Sequence, residues 1–163
     1  MGSSAGDNSQ YVKVFGFLTI PEDANAGVCA HELGHLLFGW PDLYDIDNPQ
    51  IGIIGVISAG IGNWCLISAG SWGALPGNPA GTTPCHPSAW CKANQGWVNV
   101  VMETDSRFIT LPDVKMTPRE VHRLWRNGDT TSKEYFLMEN REKVGFDGSL
   151  PGAGLLGRLH RNP

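Results

Sequence analysis

The run AGVCAHELGHLLFGWPDLYD (residues 26–45) contains His31-Glu32-Leu33-Gly34-His35 and, just beyond it, Gly39, Pro41, Asp42 and Asp45. Four residues of α-helix turn about 400° and advance about 6 Å, so two histidines at this spacing share one face. Both imidazoles can then reach a single metal ion at about 2.0–2.1 Å, the Zn–N distance. Asp23 or Asn25 is the expected cap of a helix running to about Phe38, and Gly39 and Pro41 end it. Its expected buried positions are Val28, Leu33, Leu36 and Leu37. Two histidines on so apolar a helix need partners, and Zn2+ supplies them. Glu32 stands beside a metal-held water, where a carboxylate acts as general base in attack on a carbonyl. A catalytic zinc usually takes a third protein ligand. Asp42 lies where the chain doubles back beneath the metal, and Asp45 is the competing carboxylate. The expected centre is therefore His31, His35 and Asp42 with Glu32 as base, the third ligand being open between the two aspartates.

Working outward, residues 11–20 (YVKVFGFLTI) are rich in β-branched and aromatic residues and read as a strand ended by Pro21. Residues 45–63 read as a long loop and 64–84 as a series of turns. Residues 88–95 read as a second helix with Pro87 at its start and Gly96 at its end. Residues 107–111, 121–125 and 134–139 are strand candidates of half-exposed antiparallel type, separated by Pro112, Pro118 and Asn127-Gly128, and a last strand precedes the C-terminus. The fold class is α+β. Residues 1–10 form a polar leader without the features of a signal peptide. Residues 11–163 form a single domain, and the chain reads as a fragment of something larger.

The chain has 163 residues, a formal net charge of −4 and 41% hydrophobic content, enough to build a core and too apolar for a disordered tail. The absence of a Lys/Arg-rich run argues against a nucleic-acid partner. No stretch is apolar enough to span a bilayer. Cys29, Cys65, Cys85 and Cys91 allow three disulfide connectivities or a set of buried free thiols. Without a CxxC pair they do not suggest a zinc site. Asp42, Asp45 and Asp47 with Asn48 only loosely resemble a Ca2+ loop, since no distal bidentate Glu follows.

HELGHLLFGWPDLYD resembles the zinc motif of the immune inhibitor A-type metallopeptidases, secreted bacterial zincins. The likeness extends to Trp64–Gly73 (WCLISAGSWG), to Pro87–Lys92 with Gln95-Gly96-Trp97, to Tyr135–Arg141 (YFLMENR) and to Leu150–Leu156 (PGAGLL within it), all in the family's order. It implies a zincin-like catalytic domain, zinc ligands at His31 and His35, Glu32 as general base, Asp42 as the acidic third ligand, protein or peptide substrates and an extracellular location. It also places a turn at Leu66-Ile67 beneath the metal. Related zincins carry Met there, and here the residue is Ile67. Gly39 falls four residues after His35, one more than in the common form of the motif. The family carries a His near its final strand, so His160 is a candidate oxyanion donor, whereas His122 reads as an exposed strand residue. The strand at 11–20 would be the edge that pairs with an extended substrate. Only about 30 residues precede the helix, which implies a truncated upper subdomain and an exposed edge that invites dimerisation. Two further readings stand beside the zinc endopeptidase. One is a zincin-like module that binds metal or a protein partner without turnover. The other is a structural domain whose His pair is incidental.

Overall fold

The computed structural model describes residues 16–44, 58–116 and 119–161. The polar leader, residues 11–15 of the expected first strand, and Asp45, Asp47 and Asn48 lie outside the described residues. Helix α1 runs Ala26–Phe38. Asn25 occupies its cap position in extended backbone, but its side chain does not cap the helix. Its amide instead donates to the Ala80 carbonyl (2.8 Å), pinning the start of α1 to a distant turn. At the other end Gly39 takes φ = 64°, a left-handed conformation that glycine adopts without steric cost, and its N–H returns to the His35 carbonyl (3.0 Å).

The buried face of α1 differs from expectation. Gly27, Val28, His31 and Gly34 point inward, whereas Leu33, Leu36 and Leu37 are exposed. The helix thus buries its histidine-and-glycine stripe, because Gly27 and Gly34 carry no Cβ and let the 64–72 segment approach the backbone closely. A Cβ at Gly34 would lie 2.4 Å from Ile67 Cδ1 and 3.0 Å from the Trp40 ring. Residues 16–20, the described part of the expected first strand, carry no strand pairing.

The segment after the metal motif folds as short 3-10 turns (Gly62–Trp64 and Ala69–Trp72) and leads to α2, Ala89–Asn94. Ser88 caps α2, its side chain accepting from the Cys91 N–H. Four strands follow, β1 (Asn99–Glu103), β2 (Glu120–Trp125), β3 (Glu134–Arg141) and β4 (Gly154–Arg161), ordered β1-β2-β3-β4. β2–β3 and β3–β4 are antiparallel as expected, but β1 and β2 are parallel. Residues 107–111 form no strand. Arg107 folds back instead and forks onto Glu103 through Nε (2.8 Å) and Nη2 (2.9 Å). Glu103 in turn meets Nδ1 of His122 at 2.7 Å, so His122 is buried, not exposed as its sequence pattern suggests. The Arg107 fork, more than His122, holds the Glu103 carboxyl below its ordinary range.

Helix α2 joins two cores. Cys91 packs with Trp40, Cys65, Leu66 and Ile67 under α1, while Ala89 packs with Val114, Val121, Tyr135 and Leu137 on the sheet. A buried charge network crosses the same junction. Arg141, with no exposure to water, directs Nε to Asp147 (3.0 Å), Nη1 to the Trp64 carbonyl (3.2 Å) and Glu139 (3.3 Å), and Nη2 to the His86 carbonyl (3.3 Å) and Asp147. All five of its N–H groups therefore have acceptors. Glu139 also pairs with Lys92 and accepts the Ala89 N–H (3.1 Å) at the start of α2. Burial pushes the Asp147 carboxyl upward, but hydrogen bonds from His86 and Arg141 outweigh it and hold Asp147 far below the usual carboxylate range. All four cysteines are free thiols in this structure, three of them buried and Cys29 half-buried.

Arg141→Ala takes the guanidinium away from two buried carboxylates and two buried carbonyls and is expected to cost about 3–5 kcal/mol, read as a loss in the chemical-denaturation midpoint. His160 is half-buried between Trp90 and Tyr135 (ring centroids 6.3 and 5.4 Å), and burial, with Arg158 and Arg123 nearby, lowers its pKa to about 4. A histidine depressed in the folded state contributes stability that is complete above its unfolded pKa and is lost as pH falls toward the folded one. Thermal midpoints should therefore decline between about pH 6.5 and pH 4, and His160→Gln should flatten that limb. Below about pH 4 the decline should continue as Asp147 is forced to accept a proton, whichever residue occupies position 160.

Candidate metal centre

His31 and His35 project from one face of α1, as their spacing requires. Their Nε2 atoms stand 3.0 Å apart with the rings edge-on. The chain leaves the helix at Gly39, buries Trp40, and brings Asp42 back beneath the pair. Asp42 Oδ1 lies 3.2 Å from His31 Nε2 and 3.3 Å from His35 Nε2. Among the described residues, these three form the one group of His, Cys, Asp and Glu side chains able to hold a metal together.

Each imidazole is oriented from behind. His31 Nδ1 donates to the Leu66 carbonyl (2.9 Å) and His35 Nδ1 to the Trp40 carbonyl (2.5 Å). A carbonyl accepts only, so each neutral ring carries its proton on Nδ1 and turns a lone pair inward from Nε2. Asp42 Oδ1 is buried without a hydrogen-bond donor. The short contacts among the three atoms therefore bring acceptor to acceptor, an arrangement that costs free energy until a cation lies between them. Three ligands about 2.0–2.1 Å from a tetrahedral zinc stand about 3.3–3.4 Å from one another. The observed 3.0, 3.2 and 3.3 Å fit that group.

Ile67 takes the floor position expected for it. It is fully buried and rests against Gly34 between the two histidines. Glu32 sits on the open side, half-exposed, facing two depressions. One is a cavity of about 390 Å3 whose walls include Val28, His31, Tyr44, Ser68 and Trp72. The other is a groove of about 380 Å3 shared with Phe17, Leu18, Thr19 and His35. Partial burial, followed by the charge of nearby Asp42, holds the Tyr44 hydroxyl above the ordinary tyrosine value. His160 is not brought to the centre. Its ring stacks on the sheet side of α2, as described above. Sequence reasoning missed the two orienting carbonyls, which leave no side-chain signature, and Tyr44, which the PDLYD run places two residues past Asp42.

A family model described as Immune inhibitor A peptidase M6, catalytic domain, matches residues 3–98. The chain belongs to the M6 peptidase family. The M6 match takes in α1, Asp42, the floor turn and α2, and stops ahead of β1. The chain is 40% identical over 85 residues to the Pre-pro-metalloprotease PrtV of Vibrio cholerae serotype O1 (strain M66-2), an alignment covering 52% of this chain and 8% of that protein. It is 38% identical over 93 residues to Immune inhibitor A of Bacillus thuringiensis subsp. alesti, covering 53% of this chain and 12% of that protein. The M6 chain thus spans a small part of the length of these relatives. No solved structure is a significant match to it.

Gly34→Ala forces a Cβ against Ile67 and the Trp40 ring, and should cost about 1–3 kcal/mol in a thermal or denaturant titration. Because the displaced groups adjoin both orienting carbonyls, metal affinity measured by chelator competition should fall with it.

Proposed function

We propose that this chain is the catalytic-centre portion of a zinc-dependent endopeptidase, with His31, His35 and Asp42 as metal ligands and Glu32 as general base. One observation carries the reading: two imidazole nitrogens and a carboxylate oxygen converge within 3.0–3.3 Å, each ring held from behind by a main-chain carbonyl. Membership of a peptidase family supports it, as do relatives described as a metalloprotease and an immune inhibitor.

Zinc held there would polarise a peptide carbonyl and lower the pKa of a bound water toward about 7. The chain's own groups then have defined tasks. The Leu66 and Trp40 carbonyls keep both imidazoles in the Nδ1–H tautomer and fix their aim. Glu32 takes the proton of the attacking water and delivers it to the departing amine nitrogen, which would otherwise have to leave as an unstable anion. The groove along Phe17–Thr19 accommodates an extended substrate backbone beside Glu32 and His35. The cavity walled by Val28 and Trp72 offers an apolar side chain of the substrate a place to bury. The substrate is a protein or peptide, and the resemblance to immune inhibitor A-type enzymes supports an extracellular setting. A Ca2+ role is not part of this reading, because Asp42 is committed to the histidine pair. A second reading, a metal-binding module without turnover, is favoured by the exposed Leu33, Leu36 and Leu37 face of α1.

Elemental analysis after dialysis against trace zinc should find about one zinc per chain. Glu32→Ala should keep the zinc and lose about 10²–10⁴-fold in hydrolysis of an unfolded protein substrate. His35→Ala should lose the zinc. Tight zinc binding by His35→Ala would overturn the ligand assignment, and full zinc occupancy without hydrolysis by the unaltered chain would favour the non-catalytic module.

A further inference from the structure

Three cysteines lie around the floor of the metal centre, and two of them share a partner. Cys65 and Cys91 are both fully buried in the cluster of Trp40, Leu66 and Ile67. The Ser88 backbone N–H donates to Cys65 Sγ (3.3 Å), and the Ser88 hydroxyl donates to Cys91 Sγ (3.4 Å). Both sulfurs thus stand within hydrogen-bonding reach of one residue, Ser88. Cys85, the third buried cysteine, is directed instead toward the Arg141 guanidinium. Cys29 lies on α1 and is half-buried.

We infer that Cys65 and Cys91 are the pair that closes a disulfide when the chain folds under oxidising conditions, and that this bond fixes the floor of the metal centre to α2. The positional consequence follows from chain order. Leu66, whose carbonyl orients His31, is the residue after Cys65, and α2 is anchored to β3 through Glu139 and the Ala89 N–H.

The chemistry selects the same pair. The Cys65 thiol is lowered to about 7 by its hydrogen bond from Cys91 and by the Ile67 and Ser88 N–H groups, against the effect of burial. Cys91 is raised, first by that same hydrogen bond and then by burial, so it keeps its proton while Cys65 carries the charge. In the exchange, the Cys65 thiolate attacks a low-molecular-weight disulfide such as oxidised glutathione, forming a mixed disulfide and releasing one glutathione thiol. Capped Cys65 no longer holds the Cys91 proton. Cys91 then loses that proton to solvent and attacks Cys65 Sγ, expelling the second glutathione as a thiolate that is protonated in turn. Two protein thiols and one small disulfide become one protein disulfide and two small thiols. The step takes place late in folding, once Ser88 and the Ile67 N–H have gathered around the sulfurs and before Trp40 closes over them.

The test is to refold the full chain in a reduced/oxidised glutathione buffer containing zinc, alkylate it in denaturant, and map the peptides by mass. The expected result is a Cys65–Cys91 cross-link with Cys29 and Cys85 alkylated. Cys85→Ser should leave the cross-link intact, and Cys91→Ser should abolish it. Four alkylated cysteines, or a bond that includes Cys29 or Cys85, would overturn the pairing, and the map of the unaltered chain decides this even where a serine variant does not fold. A second readout bears on the floor and rests on the zinc reading above. Opening the bond with a phosphine reductant should speed zinc release to a chelator about tenfold. Unchanged release with the bond broken would overturn the role in positioning the floor. Zinc absent from both forms would count against the zinc reading, and the peptide map would still decide the pairing.

Discussion

A guanidinium sealed from water must hand each of its N–H groups to an acceptor, and Arg141 does so with five acceptors drawn from four residues of the chain. Two are side chains, Asp147 and Glu139, and two are main-chain carbonyls, those of Trp64 and His86. The carbonyls mark the two sides of the segment that runs beneath the histidines. Trp64 immediately precedes Cys65 and Leu66, and His86 leads into the Ser88 cap of α2. Glu139 reaches α2 again through the Ala89 N–H and Lys92. One buried cation thus holds the sheet, the second helix and the floor in a single arrangement. Removing any partner would leave a charge or a polar atom in a low-dielectric interior, where it costs several kcal/mol.

The geometry of the candidate centre is downstream of that arrangement. His31 is aimed by Leu66, 35 positions away, and His35 by Trp40, five positions away, so one lone pair is directed from the distant floor segment and the other from the turn that ends α1. Ile67 completes the support by filling the space that Gly34 leaves open. An aliphatic side chain suffices there because its task is to occupy volume against the helix backbone. The M6 match ends at Val98, yet Arg141, Glu139 and Asp147, on which the floor rests, lie beyond it. The support of the centre therefore extends past the part of the chain that the family model matches.

The residues that could be read from sequence are those whose signal is local. The 31/35 spacing, the stop at Gly39 and the return of Asp42 depend on neighbours within a dozen positions, and they fold as the pattern implies. The second helix, with Ser88 before it, and the cores of β2 and β3 are local in the same sense. What escaped is non-local. Leu33, Leu36 and Leu37 look like a core stripe, but the interior of α1 is chosen by how closely residues 64–72 can approach its glycines. His122 alternates as an exposed strand residue would, but parallel pairing with β1 brings Glu103 to it. The 107–111 run has the composition of a strand and is drawn into a loop by the fork of Arg107 on the same Glu103. Asn25 has the right chemistry for a helix cap and spends its amide on a carbonyl 55 positions away.

Those sequence separations bear on the order of folding. The contact that aims His31 spans 35 residues, the Asn25 amide bond 55, the His86–Asp147 contact 61 and the Trp64–Arg141 contact 77. Closing loops of such length costs entropy before any of these contacts can form, and chains dominated by distant contacts fold slowly. Helix α1 can coil early and His35 finds its carbonyl only five residues away, but His31 acquires its aim only once Leu66, 35 positions on, has been brought beneath the helix. A nascent or partly unfolded chain thus carries the whole motif without an assembled centre. The convergence of His31, His35 and Asp42 thus becomes a late product of folding, completed only when the long-range contacts around it have closed.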